Sequence, residues 1–208
     1  MPPSNARPAL DVSSLPEVAF GRRNVSWLGN VFYMTIEGTM FALLIATYFY
    51  LRTRSTGWPP GGQPAPLLRY GLPSTAVFLM SLIPARWVQK RAPSGDRRKI
   101  RLGLTVLALF AGAAIVLRIF EFTALNCGWS DNAYASIVWC LLGLHSGHLA
   151  TETIETLALL VLSFTKKMEG MRLADVGINS DYWYFVVGSG LVVAFLIYGT
   201  TRFLSVLS

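Results

Sequence analysis

The stretch Gly143-Leu-His145-Ser-Gly-His148-Leu-Ala-Thr-Glu152-Thr-Ile-Glu155 decides how this chain is read. It lies inside an apolar segment running from about Tyr134 to Phe164, and its four ionisable residues are spaced 3, 4 and 3 apart. On a helix that spacing places all four on one stripe. A polar stripe in an apolar helix must face protein, water or a partner, because hydrocarbon solvates none of it. The stripe is therefore expected to turn into a bundle of membrane helices, and the rest of the chain has to supply them.

The composition agrees. Charged residues make up only 14% of the chain, against about 25% in soluble domains. Mean hydropathy is +0.47, so a membrane domain displaces the one or two soluble domains that 208 residues would otherwise allow. Apolar runs of roughly 20 residues, long enough for a hydrocarbon core about 30 Å thick, predict five transmembrane helices at about 27–51, 67–88, 100–124, 134–164 and 182–204. The expected fold is an all-α membrane bundle: an irregular cytoplasmic tail over 1–26, then a membrane domain over 27–204. The tail has Pro, Ser and Arg but no apolar core of a signal peptide, so the first helix is expected to act as its own insertion signal. Trp58-Pro59-Pro60-Gly61-Gly62 reads as a rigid turn, Pro73 and Pro84 as sites where the second helix can kink. A polar link is expected between Lys167 and the fifth helix at Tyr182.

A net charge of +7 raises nucleic acid as a partner, but the bases sit in short loops beside the apolar runs. That is a topogenic pattern, and it predicts no nucleic-acid partner. Thirteen bases fall on the side of the N-tail and the second and fourth loops, and four (Arg52, Arg54, Arg69 and Arg202) on the other. The N-terminus is therefore expected in the cytoplasm and the C-terminus outside. Cys127 and Cys140 form neither a CxxC site nor an expected disulfide.

At ~1.5 Å rise per residue, Glu37 and His145 fall near mid-membrane, with His148 somewhat nearer the cytoplasm. Glu152 and Glu155 fall near the inner interface, Arg118 and Glu121 towards the outer leaflet. Three readings of these residues stand side by side. They are structural bonds between helices, with Arg118 paired to Glu121 one turn on. They are a proton or ion route. Or some of them hold a metal, either as a di-iron set or as a smaller site of Glu37, His145 and His148. The di-iron reading fares worst, because Glu121 and Glu152 would stand more than ~20 Å apart along the normal and the chain has no Glu-x-x-His pair.

The order of motifs resembles subunit III of the haem–copper oxidases (cytochrome c oxidase) in its short five-helix bacterial form. Ile36-Glu37-Gly-Thr-Met-Phe41-Ala-Leu-Leu-Ile-Ala46-Thr-Tyr-Phe49 is similar to the Glu-containing helix of that family, and Trp58-Pro59-Pro60-Gly61 to the turn after it. Arg118-Ile-Phe-Glu121-Phe122 resembles Gln-x-x-Glu-Tyr, and Gly143-Leu-His145-Ser-Gly-His148-Leu149 resembles Gly-Phe-His-Gly-x-His-Val. Tyr182-Trp183-Tyr184-Phe185-Val186 resembles Tyr-Trp-His-Phe-Val. The chain departs from the pattern at Arg118 (usually Gln), Tyr184 (His), Val187 (Asp) and Glu152 (Gly), which marks a divergent member.

The resemblance implies an accessory subunit without redox chemistry, in a complex of the aerobic respiratory chain. It implies no catalytic residue, metal or cofactor in this chain, bound phospholipid, and haem and copper in the partner. Oxidase subunits I and II and membrane lipids are the expected partners, and the bacterial inner membrane the expected location. Glu37, Arg118, Glu121, His145, His148, Glu152 and Glu155 are then buried structural or relay groups. Glu37 is expected to face His148. Trp58, Tyr182, Trp183 and Tyr184 are expected at lipid or subunit interfaces. A nitric oxide reductase accessory subunit and a stand-alone membrane metalloprotein are the alternatives.

Overall fold

A computed structural model of the chain describes residues 20–21, 24–165, 168 and 170–203. Most of the expected tail, and the bases Arg7, Arg22, Arg23, Lys166 and Lys167 used in the charge count, lie outside the described residues. Five long helices follow one another: α1 (Val25–Thr53), α2 (Leu68–Arg91), α3 (Arg97–Thr123), α4 (Ala133–Ser163) and α5 (Met171–Ala194). After α5 the chain passes through a π-helical turn, Phe195–Gly199, into a last α-helical turn, Thr200–Phe203. Among the described residues there is no strand.

Polar caps set where the helices start. Asn24 accepts from Ser26 N, Asp96 from Lys99 N and Asn132 from Ala135 N, each satisfying an amide that the first turn leaves without a partner. The loop after α1 turns at Gly61 and Gly62, both at positive φ, where a side chain would be strained. α2 runs unbroken through Pro73 and Pro84.

Three of the helical segments, Val25–Thr53, Arg97–Thr123 and Met171–Arg202, are long and apolar enough to cross a membrane. The fifth helix departs from expectation at its start. Met171–Asp181, expected as a polar link, forms its first three turns and buries Ala174, Val176, Asn179 and Ser180. Low hydropathy does not forbid a helix whose polar residues have partners on its neighbours, and Asn179 and Asp181 both do.

α2 packs on α3 and α5, α3 on α4 and α4 on α5, which closes a four-helix ring. α1 lies outside it, along the seam of α4 and α5. Three apolar clusters succeed one another along the bundle, represented by Tyr48, Leu141 and Ile197, then Phe78, Leu107 and Trp183, then Val88, Leu104 and Val176. Between helices in lipid such packing gains little hydrophobic free energy, because the tails are as apolar as the core. Close fit and interhelical hydrogen bonds then carry more of the specificity.

Candidate functional site

Inside the ring, one polar network ties four helices together. Arg118 Nη1 lies 2.8 Å from Glu121 Oε2, both on α3. Glu121 Oε2 also accepts from Ser74 Oγ of α2 at 3.0 Å, and Oε1 from Tyr198 Oη at 3.1 Å. Tyr198 stands in the π turn, where wider backbone spacing changes the direction of the side chains. The other edge of the guanidinium reaches α4, with Arg118 Nη2 2.9 Å from His145 Nδ1. His145 Nε2 lies 2.9 Å from the Val186 carbonyl of α5.

These contacts fix the His145 tautomer. Arg118 can only donate and a carbonyl can only accept, so Nδ1 carries the lone pair and Nε2 the hydrogen. Phe78 lies beneath both groups, 5.5 Å from the guanidinium carbon and 5.4 Å between ring centroids. Gly190 makes the approach of His145 feasible, since a Cβ there would come within 2.7 Å of Nε2. Only Arg118 Nε is without a hydrogen-bond partner in this network.

A second set lies outside the ring, where α1 meets α4 and α5. Tyr182 Oη donates to Glu37 Oε2 at 2.5 Å, and His148 Nδ1 lies 3.6 Å from Glu37 Oε1. Tyr33 stacks on Tyr182 at 5.7 Å, and Phe41 meets the His148 ring edge-on at 5.3 Å. One turn on, Glu152 Oε1 accepts from Asn179 Nδ2 at 2.5 Å, and Asn179 in turn contacts Thr156. Here the pairing is incomplete: His148 Nε2 and Glu152 Oε2 are buried without a partner.

Several expected positions need correction. His145, placed with Glu37 by depth, belongs to the Arg118 network, and both its nitrogens are used there. A metal site of Glu37, His145 and His148 is thereby broken up. Among the described residues no three His, Cys, Asp or Glu side chains are grouped to hold a metal ion. Glu155 is exposed, where a buried group was expected. Of the four aromatic interface candidates, Trp183 and Tyr182 belong to the core: Trp183 donates to Ser81 Oγ, and Tyr182 binds Glu37. Trp58 is half-buried and donates to Tyr48 Oη at 2.7 Å, and Tyr184 is half-buried against Gln89. Polar tips that an interface would leave to water or headgroups are here taken up by neighbouring helices.

Sequence reasoning passed over Ser74, Tyr198, Asn179 and Gly190. None is ionisable in the ordinary range, and Tyr198 reaches Glu121 from a π turn that no hydropathy pattern marks.

No family model matches the chain. Whole-chain similarity is more telling. The chain is 27% identical over 173 residues to the probable cytochrome c oxidase subunit 3 of Nocardia farcinica, covering 81% of this chain and 84% of that one. It is 24% identical over 182 residues to cytochrome c oxidase subunit 3 of Thermostichus vulcanus, covering 85% and 88%. The chain is a divergent relative of cytochrome c oxidase subunit 3. A third such protein, from Bacillus sp. (strain PS3), is 23% identical over 167 residues, covering 77% and 78%. The similarity to subunit 3 proteins thus covers about four fifths of the chain.

Proposed function

We propose that this chain is a non-redox accessory subunit of a terminal respiratory haem–copper oxidase. In this reading it crosses the bacterial inner membrane five times, with its N-terminus in the cytoplasm and its C-terminus outside. It holds phospholipid, stabilises the catalytic subunit I, contacts subunit II and supports proton uptake; haem and copper reside in the partner. One observation carries the reading: similarity to cytochrome c oxidase subunit 3 proteins extends over about four fifths of the chain.

Two clefts support the lipid role. A cavity of about 480 Å³ between α2 and α3 is lined by Met80, Ile83, Trp87, Leu102, Val106 and Phe110. A cavity of about 240 Å³ between α1 and α5 is lined by Phe41, Ile45, Phe185 and Val192 among others. Both are apolar troughs suited to acyl chains. The stabilising role is supported by the outward face of α1, where Phe32, Ile36, Met40 and Leu43 are exposed in the isolated chain.

The test is purification in a mild detergent through a tag on this chain. Recovery of a haem-bearing catalytic subunit in fixed ratio is the expected result. A chain that purifies alone, with its own stoichiometric zinc or iron, would overturn it. A partner that reduces nitric oxide and lacks oxygen reduction would move the chain to the other branch of the same superfamily.

A further inference from the structure

Where α1 meets α4 and α5, one buried carboxyl group is only half bonded. The Glu152 residue is 1% exposed. Its Oε1 accepts from Asn179 Nδ2, and its Oε2 has no partner in the protein. Glu152 lines a cavity of about 90 Å³ shared with Asn30, Tyr33, Thr151, Glu155 and Tyr182. That space exceeds the ~10–15 Å³ that one water molecule needs.

The chemistry at Oε2 narrows what fills the space. As the acid, this oxygen would carry an O–H that needs an acceptor; as the carboxylate, a bare oxygen that needs a donor. The protein supplies neither. Water is both donor and acceptor, so it satisfies Oε2 in either state. Glu155 lines the same cavity and is exposed, so the cavity opens to the surface of the chain. On the inner side Tyr182 also lines the cavity and donates to Glu37, which faces His148.

We propose that Glu152 is a proton-exchange site, reached from the aqueous surface through this hydrated cavity by way of Glu155. On release, the Glu152 O–H bond breaks and the proton passes to the nearest cavity water. That water hands a proton on, and one leaves at Glu155 or to bulk water. Uptake runs the same steps in reverse, with no redox partner needed. Tyr33 and Glu37 face the site from α1, His148 and Glu155 from α4, and Tyr182 and Asn179 from α5. The proposal rests on the accessory-subunit reading only for the use to which the proton is put.

Infrared difference spectroscopy of the intact complex, with pH and H₂O/D₂O exchange as the variables, tests this directly. The expected result is a carboxylic-acid carbonyl band that titrates, shifts promptly on exchange into D₂O and is lost in Glu152→Gln. Asn30→Leu, which fills the cavity and leaves Glu152 in place, should keep that band and slow its exchange. Glu155→Gln should also slow it. A spectrum unchanged in Glu152→Gln would overturn the proposal, as would a Glu152 band that never exchanges. So would a band that responds to sodium or calcium and not to pH, because the cavity would then be a cation site. Oxidase turnover is read separately. If Glu152→Gln removes the exchanging band and leaves turnover unchanged, the site stands and the proton-uptake part of the functional reading falls.

Discussion

The two polar networks use the same kinds of residue and are finished to different degrees. Inside the ring, Arg118, Glu121 and His145 meet Ser74, Tyr198 and the Val186 carbonyl until only Arg118 Nε is left over. Along the α1 seam, His148 Nε2 and Glu152 Oε2 remain bare. A buried polar group costs little when bonded and about 1–3 kcal/mol or more when it is not. The closed network therefore acts as glue between helices. The open one tolerates a cost that bonding would remove, which is where exchange with water or a partner is to be expected.

Substitutions should separate the two. The largest effect belongs to Arg118→Met, which strands Glu121 and His145 in the ring. Breaking one side of a buried ion pair costs about 3–5 kcal/mol, so the complex should lose this subunit or unfold at a markedly lower temperature. Arg118→Gln, which loses the charge but keeps an amide donor for Glu121, should show a smaller shift than Arg118→Met. An unchanged midpoint for Arg118→Met would remove the distinction between the networks. Next comes Gly190→Ala, whose new methyl group would crowd His145 Nε2 off the Val186 carbonyl. Overpacking of this kind costs about 1–3 kcal/mol, read as a lower melting point of the purified complex. His148→Gln should cost less than His145→Gln in the same assay, because one of its nitrogens has no bond to lose. The reverse order would show that the seam, not the ring, holds the subunit together.

The sequence made the five helices legible because apolar runs of membrane length have few other uses. It also made the polar stripe on α4 legible, but not its division. Three residues advance a helix by about 300°, so stripe members three apart diverge by about 60°, whereas residues seven apart nearly coincide. His145 and Glu152 thus share the more buried direction, and His148 and Glu155 the more exposed one. Depth grouped His145 with Glu37; azimuth sends it to Arg118. The start of α5 was hidden for a related reason. Hydropathy marks residues that lipid accepts, and Asn179 and Asp181 are accepted by other helices instead.

The smallest effect comes from a pair that shares the strongest one's distance and spacing but not its surroundings. Lys99 Nζ lies 2.8 Å from Asp96 Oδ2, the same distance as Arg118 to Glu121, and both pairs are spaced i to i+3, one at the start of α3 and one within it. Asp96 sits before the membrane-spanning part of α3, facing solvent at the helix start. The Lys99 ammonium, and then the Lys99 and Arg98 backbone amides, hold its carboxyl below the usual carboxylate range. A carboxyl lowered in the folded state stabilises above its unfolded value, and loses that contribution as pH falls through the lowered one. Lys99→Ala should therefore leave the melting point at neutral pH almost unchanged, because exposed ion pairs are screened by water and salt. Its only signature should be a slightly weaker loss of stability on acidification. If Lys99→Ala matched Arg118→Met in size, burial would not be what distinguishes the two pairs.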